Sequence, residues 1–276
     1  MNNTTNSYDK EKYIQKKKEQ LKNAYQMIDD ACEEIRKGNN DFFIKYLDTQ
    51  SRFDKYTFRN ALLVSMQMPE AKQLKDYNSW KELKVDFKNN SPKRIIILEP
   101  GKSYLNSDGD KVTPYNAKEM IDVSETNTKA PIKDYDKKMI LHSLLCDSPI
   151  KIKVSDTLED TICKWSEEDN VIYVKNNNET YDPVISSIAK EMAKYLIYTN
   201  SEEISDDKAK CVSYMICKKY NIDYSFDDVP RPLVNLELSN IKEELSSIKN
   251  TFEDINNQMT AYLEKLNKEK NKEKER

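Results

Sequence analysis

In the stretch ISSIAKEMAKYLIY, residues 185–198, Glu191 is bracketed by Lys190 and Lys194, and the two lysines lie one helical turn apart. Imidazoles at those two places would hold a zinc ion, and the glutamate between them would act on the metal-bound water. Lysines reverse that chemistry. Their ammonium groups, with an ordinary pKa of about 10.4, are charged near pH 7 and repel a divalent cation. Two uses for Glu191 remain: a structural partner for a lysine, or a member of a lysine-lined surface that attracts anions. A two-histidine metal site is excluded elsewhere too, because His142 is the single histidine. The five cysteines, Cys32, Cys146, Cys163, Cys211 and Cys217, form no CxxC pair and are odd in number. Reduced, mostly buried thiols are expected, with no zinc ribbon, no metal and no cofactor.

The elements that must position these residues follow from hydropathy. Residues 8–37 read as a long amphipathic helix with Tyr13, Leu21, Tyr25, Ile28, Cys32 and Ile35 near helical spacing and Gly38 as its stop. Two short helices follow up to Pro69, then a further one over EAKQLKDYNSWKEL. The apolar run RIIILEP has strand length, Asp108-Gly109 is a turn signal, and a second strand is expected from Tyr115 to Val123. After ETNTKAP the pattern changes, which sets a boundary near residue 130. Beyond it come a helix (134–146), a strand (150–154), a helix (156–163), a strand (170–175) and two helices, about 181–199 and 206–220, joined by the polar turn TNSEEISDD. The class is α+β: a helical first domain with a small β-hairpin (1–130), an α+β second domain (131–230), and a C-terminal helix.

Pro230 and Pro232 mark the last boundary, before residues 231–276. There Leu238, Ile241, Leu245, Ile248, Phe252, Ile255, Met259, Tyr262 and Leu266 recur at alternating spacings of three and four, a coiled-coil seam that needs a partner. The candidates are a second copy of the chain, another protein, or its own domain. The closing KEKNKEKER is a solvated charged tail. No apolar run approaches the roughly 20 residues that span a bilayer, and MNNTTNSYDKEK has no signal-peptide core, so a cytoplasmic protein without membrane contact is expected. Residues 1–100 carry 19 Lys and Arg against 15 Asp and Glu, although the whole chain has a net charge of −3. A phosphate backbone would meet the first part.

Residues 46–83 resemble the N-terminal domain of ArdC-type antirestriction proteins and of the related LtrC-like proteins carried by conjugative elements. The matching positions are Tyr46 and Leu47, Arg52 and Phe53, Tyr56 and Thr57, Asn60, Gln67, Pro69 and Trp80. The strand ending at Pro100 and IDVSET (121–126) extend the likeness, with Ile121 and Glu125 departing from that family's Phe and Gln. The resemblance implies single-stranded DNA binding: charge from Arg52, Arg59, Lys93 and Arg94, stacking from Tyr56 and Trp80, hydrogen bonds from Asn60 and Gln67. Each also has a structural reading, as core for the two aromatics and as fasteners for Arg52 and Asn60.

In that family the second domain resembles zinc peptidases of the ImmA and IrrE type. By that likeness the three ligand positions fall on Lys190, Lys194 and Lys208, and Glu191 is the relic of the catalytic glutamate. The implied protein is non-catalytic, a pseudo-metallopeptidase that binds single-stranded DNA in antirestriction, antidefence or conjugation. Two alternatives stand beside it. One is a scaffold acting through the coiled coil as a homo-oligomer or on a partner protein; the other is a working metallopeptidase.

Overall fold

The computed structural model describes residues 3–131, 134–176, 180–201, 204–224, 230–231 and 233–274. Pro232, Glu202 and Glu203 of the expected polar turn, and Glu275 and Arg276 of the charged tail lie outside them. The chain is mixed α+β and divides into two compact units. The first comprises residues 1–49 and 56–131, and the second comprises residues 50–55 and 132–276.

The first unit opens with α1 (Asn3–Arg36), which buries Ala24, Ile28, Ala31, Cys32 and Ile35 along one stripe. Tyr13 and Tyr25, expected on that stripe, are exposed instead. Gly38 takes φ 82, the left-handed conformation that ends a helix at little cost to glycine. Next come α2 (Asn40–Arg52), whose last three residues count with the second unit, and α3 (Phe58–Gln67). The Thr57 side chain caps α3 by accepting from the Asn60 N–H.

Only part of EAKQLKDYNSWKEL is helical. Leu74–Lys75 is a short strand, β1, and the helix α4 (Tyr77–Glu82) starts where the Asp76 carboxylate accepts from the Ser79 N–H. Strand β2 (Ile95–Pro100) pairs antiparallel with β5 (Tyr115–Asp122), and β1 joins the other side of β5, giving the order β1-β5-β2. Asp108-Gly109 turns a smaller hairpin, β3 (Tyr104–Leu105) with β4 (Lys111–Val112). Asp122 ends β5 as a buried carboxylate satisfied by the N–H groups of Lys72, Gln73 and Ser124.

In the second unit α5 (Lys137–Leu145) leads to β6 (Lys151–Ser155), β7 (Cys163–Ser166) and β8 (Val171–Lys175). The helix expected over 156–163 does not form. Ser155 and Thr157 hydroxyls bond one another in a turn, and Cys163–Ser166 pairs antiparallel with β8, whose other neighbour is the parallel strand β6. Helices α6 (Tyr181–Ser201) and α7 (Asp206–Lys219) pack together and against α8 (Leu238–Lys274), which also meets α5. Ile241, Leu245, Ile248, Phe252, Ile255 and Met259 are all buried in that packing. The seam is covered by helices of its own unit, so α8 is not a free-standing coiled coil. The buried stripe ends at Leu263, while Leu238, Tyr262 and Leu266 are only partly covered. No described helix is long and apolar enough to cross a membrane.

Candidate functional site

Two places in the fold gather residues with chemical potential, one in each unit. In the second unit, α6 aims Glu191 at the edge strand β7. One carboxylate oxygen accepts from the Trp165 N–H at 3.0 Å and the other from the Lys194 ammonium at 3.0 Å. Lys194 also meets Asp206 at 2.7 Å, and Asp206 meets Lys210 at 3.0 Å. Burial pulls the Lys194 pKa down, but the hydrogen bonds to Asp206 and Glu191 more than offset it, and the pKa lies above its ordinary value. Each oxygen of the Glu191 carboxylate therefore has a donor.

A cavity of about 380 Å³ brings Lys190, Glu191 and Lys194 together with Cys163 and Trp165. Cys163 is buried, and desolvation pushes its thiol up to about 12, so it holds its proton and is a poor nucleophile and ligand. Lys208 does not line that cavity. It is buried and pairs with Glu244 of α8 at 3.0 Å. Among the described residues no group of three His, Cys, Asp or Glu is placed to hold a metal ion. The arrangement is a closed ion-pair chain on α6 and α7.

The residues proposed from sequence for DNA contact, all but Arg52 in the first unit, separate into fasteners, a half-buried tyrosine and surface cations. Asn60, Gln67 and Trp80 are fasteners. The Asn60 amide donates to the Leu98 carbonyl at 2.9 Å and accepts from the Leu98 N–H at 2.8 Å. Gln67 does the same for Ile96, at 2.8 and 2.9 Å. Ile96 and Leu98 lie two apart on β2, an edge strand, and the two amides of α3 satisfy its outward backbone groups as a neighbouring strand would. Trp80 is 1% exposed, donates its indole N–H to the Ile121 carbonyl at 3.0 Å, and forms a core cluster with Ile121 and Val123. It has no free face for a base.

Tyr56 is half-buried, which pushes its hydroxyl up to about 12. The cationic group stays at the surface. Arg52 is exposed, Arg59 is half-exposed with its guanidinium 5.4 Å from the Phe58 ring, and Lys93 and Arg94 are exposed. Lys93 reaches the Gln67 carbonyl at 3.3 Å, and Arg94 reaches Glu119 at 2.7 Å.

Around Arg94 lies a cluster that the sequence did not single out. Phe87 packs against the Trp80 core, and Tyr77 stacks on Phe87 with ring centres 5.1 Å apart and planes 9° from parallel. The Tyr77 ring is 37% exposed, with the Lys81 ammonium 5.1 Å and the Arg94 guanidinium 5.7 Å from its centre. Lys81 has no ion pair among the described residues. Glu119 holds Arg94 in place; hydrogen bonds from Gln20 and Arg94 bring its carboxyl down to about 2. Phe87 stacks on Tyr77 and the two cations lie over the Tyr77 ring, so the cluster offers positive charge to a phosphate, and a base stacks on Tyr77 where the Lys81 and Arg94 side chains swing aside. Tyr77 and Phe87 escaped the sequence reading because ten residues separate them, and only the turn after α4 brings their rings face to face.

No protein-family model matches this chain, and no curated protein matches it. Two crystal structures of the antirestriction ArdC protein from plasmid R388 are similar to it. The Mn(II)-bound structure shares 10% identity at a TM-score of 0.48, over 74% of this chain and 83% of that one. The metal-free structure shares 12% identity at a TM-score of 0.44, over 75% and 83%.

Proposed function

We propose that the chain is a non-catalytic protein that binds single-stranded DNA through its first unit, in an antirestriction, antidefence or conjugation-accessory role. The observation that supports the DNA contact is the partly exposed Tyr77, stacked on Phe87, with Lys81 and Arg94 over its ring. Flat rings accept any base, and the cations meet the backbone, so this contact has no need of sequence readout. The role in mobile-element defence rests on the resemblance of residues 46–83 to ArdC-type domains. Arg59 and Lys93 extend the cationic surface of that unit, and Arg52 is a further exposed cation of the chain.

The absence of catalysis is supported by the α6 centre, where Lys194 engages the glutamate that would otherwise serve a metal-bound water. Occupying a strand denies it to a nuclease without any bond being broken. The test is fluorescence anisotropy of a labelled oligonucleotide, single-stranded or duplex, titrated with the full chain across a salt series. Salt-sensitive binding that favours the single strand is expected, and Tyr77→Ala should weaken it about tenfold, the worth of one stacked base. Lys81→Glu should weaken it and flatten the salt dependence. Absence of binding at low salt, or a Tyr77→Ala variant that binds as well as the parent, overturns the proposal.

A further inference from the structure

The geometry points to a protein-docking edge on the second unit: β6 accepts an extended segment of a partner polypeptide in which apolar and acidic residues alternate. Among the described residues β6 has one neighbour, β8, so its other side presents backbone N–H and C=O groups without a strand partner. Beside that edge runs a groove of about 690 Å³ whose walls include Leu141 and Leu145 of α5, Ile188 of α6, and Ile152, Val154 and Val174 of the sheet. Val154 on the edge strand is 71% exposed and Leu145 of α5 40%, an apolar surface of the kind that edge strands normally avoid.

The two faces of the strand set the chemistry of the occupant. Registration with β8 puts Ile152 beside Ile172 and Val154 beside Val174 on the groove face, with Ile152 partly covered and Val154 open to water. Lys151 and Lys153, which also contribute to the groove wall, alternate onto the opposite face of the strand and have no ion pair among the described residues. A strand added along β6 alternates in the same way. Every second side chain enters the groove and must be apolar, while those between lie beside Lys151 and Lys153, where carboxylates are complementary. Asp147 lines the groove at its α5 end and disfavours a further acidic residue there.

The test uses the full chain and three labelled decapeptides: one alternating Val and Glu, one alternating Val and Lys, and the Val/Glu peptide with a central proline that removes a backbone donor. Saturable binding of the Val/Glu peptide is expected, lost with proline and weakened about tenfold by the paired change Lys151→Glu with Lys153→Glu, which should favour the Val/Lys peptide. Val154→Asp, at a position already open to water, should also abolish binding without unfolding the protein. Failure of the Val/Glu peptide to bind overturns the proposal, and so does binding indifferent to the lysine reversal. Concentration-dependent self-association that Val154→Asp removes would assign the edge to a second copy of this chain and overturn it as well.

Discussion

At the scale of single residues, the α6 centre shows how one glutamate can be kept in a core without a metal. Glu191 is 5% exposed, a place where an unpaired carboxylate would be costly, yet a backbone N–H from β7 and an ammonium from its own helix satisfy it. Lysine at 194 suits this role through its length: it spans from Glu191 to Asp206 at the start of α7. Asp206 records the cost in its titration. Burial pushes its carboxyl up, and the hydrogen bonds and charges of Lys194 and Lys210 overcome that and leave it at about 2. Because the folded value lies below the roughly 3.9 of an unfolded aspartate, Asp206 stabilises the fold above that pH, and its contribution fades as pH falls through about 2. Glu119 in the first unit follows the same sign. The urea midpoint should therefore hold steady from pH 7 to about 5 and decline between about 4 and 2, and Asp206→Asn should make that decline shallower. An unchanged slope in the variant would mean that other carboxylates govern the acid transition.

At the scale of elements, α3 acts as a substitute strand. Asn60 and Gln67, seven residues apart, lie on one helical face two turns apart and reach Leu98 and Ile96 on β2. Replacing either with alanine leaves a strand N–H and C=O without partners and should cost about 2 kcal/mol. Hydrogen exchange should locate the damage at the Leu98 amide for Asn60→Ala and at Ile96 for Gln67→Ala; uniform loss of protection would refute the edge-cover account. These two amides also mark what the sequence could and could not convey. Helices α3, α6 and α7 and strands β2 and β5 were legible, since their apolar periods are long and caps such as Thr57 stand at their starts. The use of Asn60 and Gln67 was not, because an amide that reads a base and one that closes a sheet edge are the same residue type. Strand β7 was missed for a related reason: CKWS has a strand pattern only four residues long, and its pairing with β8 comes from residues five to eleven positions away. The Tyr77–Phe87 platform likewise depends on a chain turn that no local pattern announces.

At the scale of the whole molecule, the decisive question is what α8 covers. Its seam is regular enough to read as a coiled coil, and periodicity alone cannot distinguish an intermolecular partner from a bundle closed within the chain. The structure places α5, α6 and α7 against it, with Phe252 fully buried and Asn256 held by the Tyr220 hydroxyl and the Asp54 carboxylate. Those polar contacts fix the register of α8 in its own unit, much as a single buried asparagine fixes a coiled coil. Phe252→Ala should thus behave as a core truncation. It should lower the stability of the second unit by about 3 kcal/mol, read by hydrogen exchange of α6 and α7 across a urea series. The midpoint should be the same at low and high protein concentration, as expected of a seam closed within its own unit. A midpoint that rises with concentration would show that the seam is shared between chains, and the second unit would then be stable only as an assembly.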